Sequence, residues 1–339
     1  MTIKKVIQQL KPYDPKIIEA DVYLDANEVN TSFNLILDHD KLNIINRYPD
    51  HQGETLINQL VDTFGYDKSS VMIGSGSSEL LELVIKTFVN PNDIILSIDP
   101  TFVMYKQYTT IHGATYIGVK ESETLLDDLY QAYKTYLPKV IFISNPNNPT
   151  GTYINKYELI EFVKKVNCVV VIDEAYIEYA ALKDTLIYNT KNFSNLYVTR
   201  TFSKAWGLAG ARLGYIVSQP QNIQLLKIAK TPYSVSTLSL QLGIDVLKKQ
   251  MQVFQNIQEI IETRHSFYEN IKGFVEDIQP SYGNFVYVYE SRVNLYEKLL
   301  EKSIKIRTYN NNFYRITIGT PDEMRLCTQV IKELLYDHT

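Results

Sequence analysis

A chain of 339 residues, 45% hydrophobic and 21% charged, has ordinary globular composition and is long enough for about two domains with a core needing no disulfide or metal. Its net charge of −4 argues against a general nucleic-acid surface. It has neither an apolar run of the roughly 18–20 residues that span a bilayer nor a secretory h-region at its start, so a cytoplasmic protein is expected.

Taken in chain order, residues 1–35 hold no complete supersecondary unit and are expected to pack as an arm on a smaller domain. Asp38, His39 and Asp40 form the densest group of metal-ligand types, but no partner ligands lie close by, so a solvated loop is expected and no metal. Val71, Met72 and Ile73 lead through Gly74, Ser75, Gly76, Ser77 and Ser78 into a helical pattern. Small residues before a helix N-terminus can cradle a phosphate. A dinucleotide fingerprint would need a third glycine where Glu79 stands.

Apolar runs at 94–98, 140–143, 169–172, 196–198 and 212–217 read as buried strands, with helical patterns at 79–84 and 156–163 between them. This alternation indicates an α/β domain with a mostly parallel sheet. From about residue 234 the texture changes to one long helix over 237–268, a strand at 285–289, a helix at 295–302 and a strand at 314–318. The expected division is an arm over 1–35, a large domain over 36–234 and a small α+β domain over 235–339. Cys168 and Cys327 stand far apart and read as reduced thiols.

The chemistry gathers around Lys204. Strand 196–198 runs into Thr199, Arg200, Thr201, Phe202, Ser203 and Lys204, and Arg212 follows eight residues on. Hydroxyls with a guanidinium make a phosphate site. A lysine beside that site suggests a phosphorylated carbonyl cofactor held as an imine, and neighbouring cations lower its pKa and make it a better nucleophile.

Ser203-Lys204-Ala205 with Arg212 resembles the lysine signature of the fold-type I pyridoxal-phosphate enzymes, in the aminotransferase branch. That resemblance implies a fold with a seven-stranded, mostly parallel sheet between helices and pyridoxal 5'-phosphate as cofactor. It implies that Asp173, closing the strand at 169–172, faces the pyridine nitrogen, and that Tyr176 donates to the phenolic oxygen. Ser77 and Ser78 would hold the phosphate, with Thr201, Ser203 and Arg212. Asn148, in a turn similar to the family's NPxNPTG run, would bind the phenolic oxygen, and Tyr105 would stack on the ring.

Arg315 matches the family arginine for the substrate's anionic end, and Arg307 lies eight residues before it. Two arginines suit a dianionic phosphate better than one. Arg47-Tyr48-Pro49, Asp25-Ala26-Asn27-Glu28 and Lys11-Pro12-Tyr13 look like the histidinol-phosphate aminotransferases. This implies that Tyr13 and Asn27 approach the substrate, and that Tyr48 reaches the cofactor of the other subunit of a homodimer. Val29-Asn30 stands where that family has a proline, and Ser78 where it has an aspartate.

The implied reaction is a ping-pong transfer of an amino group between a donor and a keto acid, with Lys204 as general base. L-histidinol phosphate and 2-oxoglutarate are the expected pair. Threonine-phosphate decarboxylase ranks second, although no His-Gly-Gly occurs near the start. An aromatic or general aminotransferase comes third. The effector domain of a transcription regulator would need a DNA-binding extension.

Overall fold

The computed structural model describes residues 3, 5–8, 10, 18–35, 45–310 and 312–336. Tyr13 and the Asp38-His39-Asp40 cluster lie outside them. A short strand β1 (Val22–Leu24) precedes the main α/β run of β2 (Val71–Gly74), β3 (Ile94–Asp99), β4 (Thr115–Lys120), β5 (Val140–Ser144), β6 (Val169–Asp173), β7 (Leu196–Thr201) and β8 (Gly214–Val217). β9 (Asp277–Ile278), β10 (Phe285–Tyr289), β11 (Ile304–Tyr309) and β12 (Phe313–Thr317) complete the set.

Seven strands form one sheet in the order β2-β8-β7-β6-β5-β3-β4. Pairing is parallel from β7 through β6, β5 and β3 to β4, and only β8 runs antiparallel, to both β7 and β2. This is the expected mostly parallel sheet. Its strands are apolar on both faces because successive side chains point to opposite sides. Ile141, Ile143, Val170 and Ile172 enter one core cluster, while Val140, Phe142 and Val171 enter another. Each such side chain contributes roughly 1.5–3 kcal/mol on full burial.

The second sheet has the order β1-β11-β12-β10-β9. β1 pairs in parallel with β11, with Leu24 opposite Ile306. The N-terminal segment is thus stitched into a sheet whose other strands lie more than 250 residues later. The larger core cluster runs through both sheets, from Ile143 and Ile172 to Phe285, Val286 and Ile316.

Two expectations are corrected. The long helical pattern at 237–268 is two helices, Thr237–Lys248 and Gln250–Ile271, meeting at Lys249. Neither side of the junction carries a proline, so periodicity alone passes through it. Strands β1, β4, β9 and β11 were not expected. β4 lies at the sheet edge with its side chains at best half-buried, which erases the continuous apolar signal of its neighbours. Among the described residues no helix is long and apolar enough to cross a membrane, and no group of His, Cys, Asp and Glu could hold a metal ion.

Candidate active site

The carboxyl ends of β5, β6 and β7 converge, which is where open α/β sheets bind ligands. β6 ends on Asp173, which is 3% exposed. Asp173 Oδ2 accepts from Tyr105 Oη at 2.7 Å and Oδ1 from Thr199 Oγ1 at 3.0 Å. Burial pushes its carboxyl above the ordinary value, and those two hydrogen bonds oppose the shift. No basic side chain pairs with Asp173 among the described residues.

β7 ends at Thr201, and the following turn presents Ser203 and Lys204. Ser203 N donates to Thr201 Oγ1 at 3.1 Å, locking the turn. Lys204 Nζ donates to the Ala26 carbonyl at 3.0 Å and lies 5.9 Å from the Tyr176 ring centroid. Burial, then the charges of Arg315 and Arg212, push Lys204 down to about 7, with Glu28 opposing. A substantial fraction of this amine is therefore neutral near pH 7, as a nucleophile or base requires.

At the other end of the cleft stands the helix Gly76–Phe88, whose first-turn amides lack intrahelical acceptors. Gly76 has φ of 76°, and a Cβ there would meet Arg212 Nη2 at 3.0 Å; a Cβ on Gly214 would strike Ser77 N. Glycine is required because the Arg212 guanidinium, β8 and the helix start share this space. Arg212 Nη1 also reaches Ser203 Oγ at 3.5 Å. Ser77, Ser78, Ser203 and Arg212 thus form one cradle. Glu79, in place of a third glycine, accepts from Ser75 N and, at 3.0 Å, from Ser234 Oγ, bracing its rim.

The third wall comes from the small sheet. Arg315, 7% exposed on β12, donates from Nη1 to Asn148 Oδ1 at 2.7 Å and Tyr309 Oη at 3.3 Å, and from Nη2 to the Asp25 carbonyl at 2.6 Å. Its Nε has no partner, and no carboxylate lies in ion-pair distance among the described residues. Arg307 stands directly opposite Arg315 in the β11–β12 ladder, so both project from one face. Asn148 Nδ2 donates to Tyr176 Oη at 3.4 Å, and Asn27 Nδ2 to the same oxygen at 3.0 Å.

The fold therefore gathers Asn27, Asn148, Tyr176, Lys204 and Arg315, with Asp173 below them and Ser77, Ser78, Thr201, Ser203 and Arg212 to one side. Two expected residues stand apart. Tyr48 is 82% exposed and stacks on Tyr233 at 4.6 Å between centroids. Tyr105 was expected to lie open to a ligand ring, but it is fully buried. Its ring stacks on Phe142 at 4.8 Å, and its hydroxyl is committed to Asp173. Phe102, half-buried and packed edge-on against Tyr105 at 5.5 Å, is the neighbouring aromatic with exposed surface. Tyr309, Thr317 and the Asp25 and Ala26 carbonyls had no signal in sequence.

This arrangement suits a small planar ligand carrying an anion at the cradle and a cation at Asp173. A phosphate and a protonated ring nitrogen meet both demands, and the poised amine of Lys204 suits a carbonyl between them.

Comparison with known proteins agrees. The family model "Aminotransferase class I and II" matches residues 22–331. The chain is 32% identical to a histidinol-phosphate aminotransferase of Clostridium novyi, over 99% of this chain and 98% of that one. A histidinol-phosphate aminotransferase from Sinorhizobium meliloti, solved in complex with pyridoxal-5'-phosphate, superposes with a TM-score of 0.87 at 21% identity, covering 99% of this chain and 98% of its own. L-threonine-O-3-phosphate decarboxylase from Porphyromonas gingivalis gives 0.79 at 20% identity, covering 93% and 99%, so the fold alone does not separate the two activities. The chain belongs to the class I and II aminotransferase family, in the company of the histidinol-phosphate aminotransferases, and is a pyridoxal-phosphate-dependent aminotransferase.

Proposed function

We propose that this aminotransferase moves an amino group between L-histidinol phosphate and 2-oxoglutarate, the histidine-biosynthetic reaction taken in reverse. The observation that carries the reading is Arg315, a buried cation without a carboxylate, in the same cleft as an amine pushed down to about 7. An arginine so placed favours an anionic substrate, and Arg307 beside it favours a dianion.

Bound in the cleft, pyridoxal phosphate supplies an electron sink conjugated to the substrate Cα. The amides of Ser77 and Ser78, the hydroxyls of Thr201 and Ser203, and Arg212 would hold its phosphate. Asp173 would face the ring nitrogen; a positive partner there offsets the desolvation that raises its carboxyl. Tyr176 would donate to the phenolic oxygen and Asn148 would help hold it. Phe102 takes the stacking role first expected of Tyr105.

Lys204 would bind the cofactor covalently when substrate is absent. With substrate bound, its amine would be the base that takes the proton from the substrate Cα. Arg315 binds the donor's phosphate in one half-reaction and a carboxylate in the other. Tyr48, exposed here, would complete the cradle of a second copy in a homodimer, and Tyr13 would approach the substrate. The domain limits proposed are an arm over 1–35, a large domain over 36–234 and a small one over 235–339.

The test is purified protein with pyridoxal phosphate, histidinol phosphate and 2-oxoglutarate, followed for glutamate. Rapid turnover is expected. Turnover with phenylalanine and none with histidinol phosphate overturns the substrate assignment, and carbon dioxide release from threonine phosphate supports the decarboxylase instead.

A further inference from the structure

Tyr176 has one hydroxyl proton, and what its oxygen accepts decides where that proton goes. Two side-chain amides donate to this oxygen, from Asn27 at 3.0 Å and Asn148 at 3.4 Å. Neither amide is free to turn round. Asn148 Oδ1 is held by Arg315 Nη1 at 2.7 Å. Asn27 Oδ1 accepts from Thr317 Oγ1 at 3.0 Å, while that hydroxyl accepts from Asn27 N at 3.0 Å, which commits its single proton to Oδ1. Arg315 and Thr317 are two residues apart on β12 and so share a face.

The backbone of Asn27 is equally fixed. Its carbonyl accepts from Asn284 Nδ2 at 3.2 Å, its φ is 54°, and its surface is wholly buried. Asparagine tolerates this left-handed conformation better than most residues. The amide and carbonyl groups of its backbone and side chain are all engaged within the protein, which leaves it no evident role as a substrate contact.

We infer that Asn27 is a positioning residue: its amide, aimed by Thr317, fills the second acceptor site of the Tyr176 oxygen. The hydroxyl proton is thereby turned away from both asparagines and towards the cofactor. This rests on the role proposed above for Tyr176. Asn27 acts only through Tyr176 and touches no reacting atom.

The readout is the pH midpoint of the visible absorbance of cofactor-loaded protein. A hydrogen bond donated to the cofactor's phenolic oxygen favours its anion, so losing that bond raises the midpoint. Around Tyr176 the charged and titratable groups are Arg315 and Tyr309 from the small sheet, Asp173 and Lys204 from the large one and Tyr179 from the turn after β6, all retained in the variants. Tyr176→Phe should raise the midpoint by about one pH unit, the scale of one hydrogen bond to a charged oxygen. Asn27→Gly keeps the left-handed backbone and removes the amide, and should raise it by about half a unit, but only while Tyr176 is present.

An unmoved midpoint in Tyr176→Phe overturns the role of Tyr176 and the inference with it. A midpoint that moves in Tyr176→Phe but not in Asn27→Gly overturns the inference alone. An Asn27→Gly shift of equal size in the Tyr176→Phe background does the same, since a merely structural residue acts regardless of the phenol. If Asn27→Gly does not retain cofactor, Thr317→Val, which frees the amide to turn, carries the same decisions with a smaller shift.

Discussion

Two arginines are buried among the described residues, and they are opposites. Arg200, on β7, is 1% exposed, with Nη1 3.1 Å from Glu174 Oε2 and Nη2 2.7 Å from Glu178 Oε1. Both carboxylates have further partners: Thr185 Oγ1 and Leu186 N on Glu174, and Trp206 Nε1 on Glu178. That charge is answered inside the chain, and it ties the loop after Asp173 to the turn after Lys204. Arg315 is almost as buried but donates to carbonyl, amide and phenol oxygens and lies 5.5 Å from the Phe285 ring centroid, with no carboxylate in ion-pair distance among the described residues. A buried ion without a counter-ion is expensive, which supports the proposal that the second arginine takes an anion from outside, whereas the first completes a strut.

Breaking the cleft at its reactive amine should give the largest effect. Lys204→Ala should abolish the visible band formed with pyridoxal phosphate and lower turnover by about 10^4-fold. An unchanged spectrum would overturn the entire reading.

Arg200→Met strands Glu174 and Glu178 in the interior and should cost about 3–5 kcal/mol in urea unfolding. The pH midpoint of cofactor capture should stay near that of wild type, because Arg200 does not face Lys204. A loss below about 1 kcal/mol would show that the strut is not one.

The electrostatics can be sharpened through pH. Capture of pyridoxal phosphate by cofactor-free protein needs the neutral amine, so its rate should rise through a midpoint near 7 and level off above it. Arg315 disfavours the protonated amine, so Arg315→Gln should move the midpoint up; Glu28 favours it, so Glu28→Gln should move it down. Stopped-flow absorbance across pH reads both signs, and shifts in the opposite sense would refute the assigned causes. The smallest effect is expected from Tyr309→Phe, which removes one neutral acceptor from Arg315. The KM for the phosphorylated substrate should change less than about tenfold, with kcat retained.

The same contrast explains what was legible in the sequence. The cradle at Gly74 to Ser78, the turn around Asn148, the strand ending on Asp173 and the turn holding Lys204 are each local runs. A short segment fixes its own chemistry there, and the parallel sheet gathers the ends. The substrate wall is different. Asn27 meets Thr317, and Arg315 meets the Asp25 carbonyl, each across 290 residues of chain. No local period records such pairings, and β1, which brings the segment there, is three residues long. Tyr105 shows a subtler limit. Phe102 lies in the loop just before the helix Met104–Ile111 and Tyr105 in its first turn, and the packing of that turn against Phe142 turns Tyr105 inward.

The most direct test of the contrast is kcat/KM for histidinol phosphate in Arg315→Gln, measured beside its unfolding free energy. The predicted result is a fall of about a hundredfold or more with stability changed by less than about 1 kcal/mol, since Arg315 has no carboxylate to strand. An activity within threefold of wild type, or a stability loss as large as that of Arg200→Met, would contradict the claim that Arg315 awaits the substrate's anion.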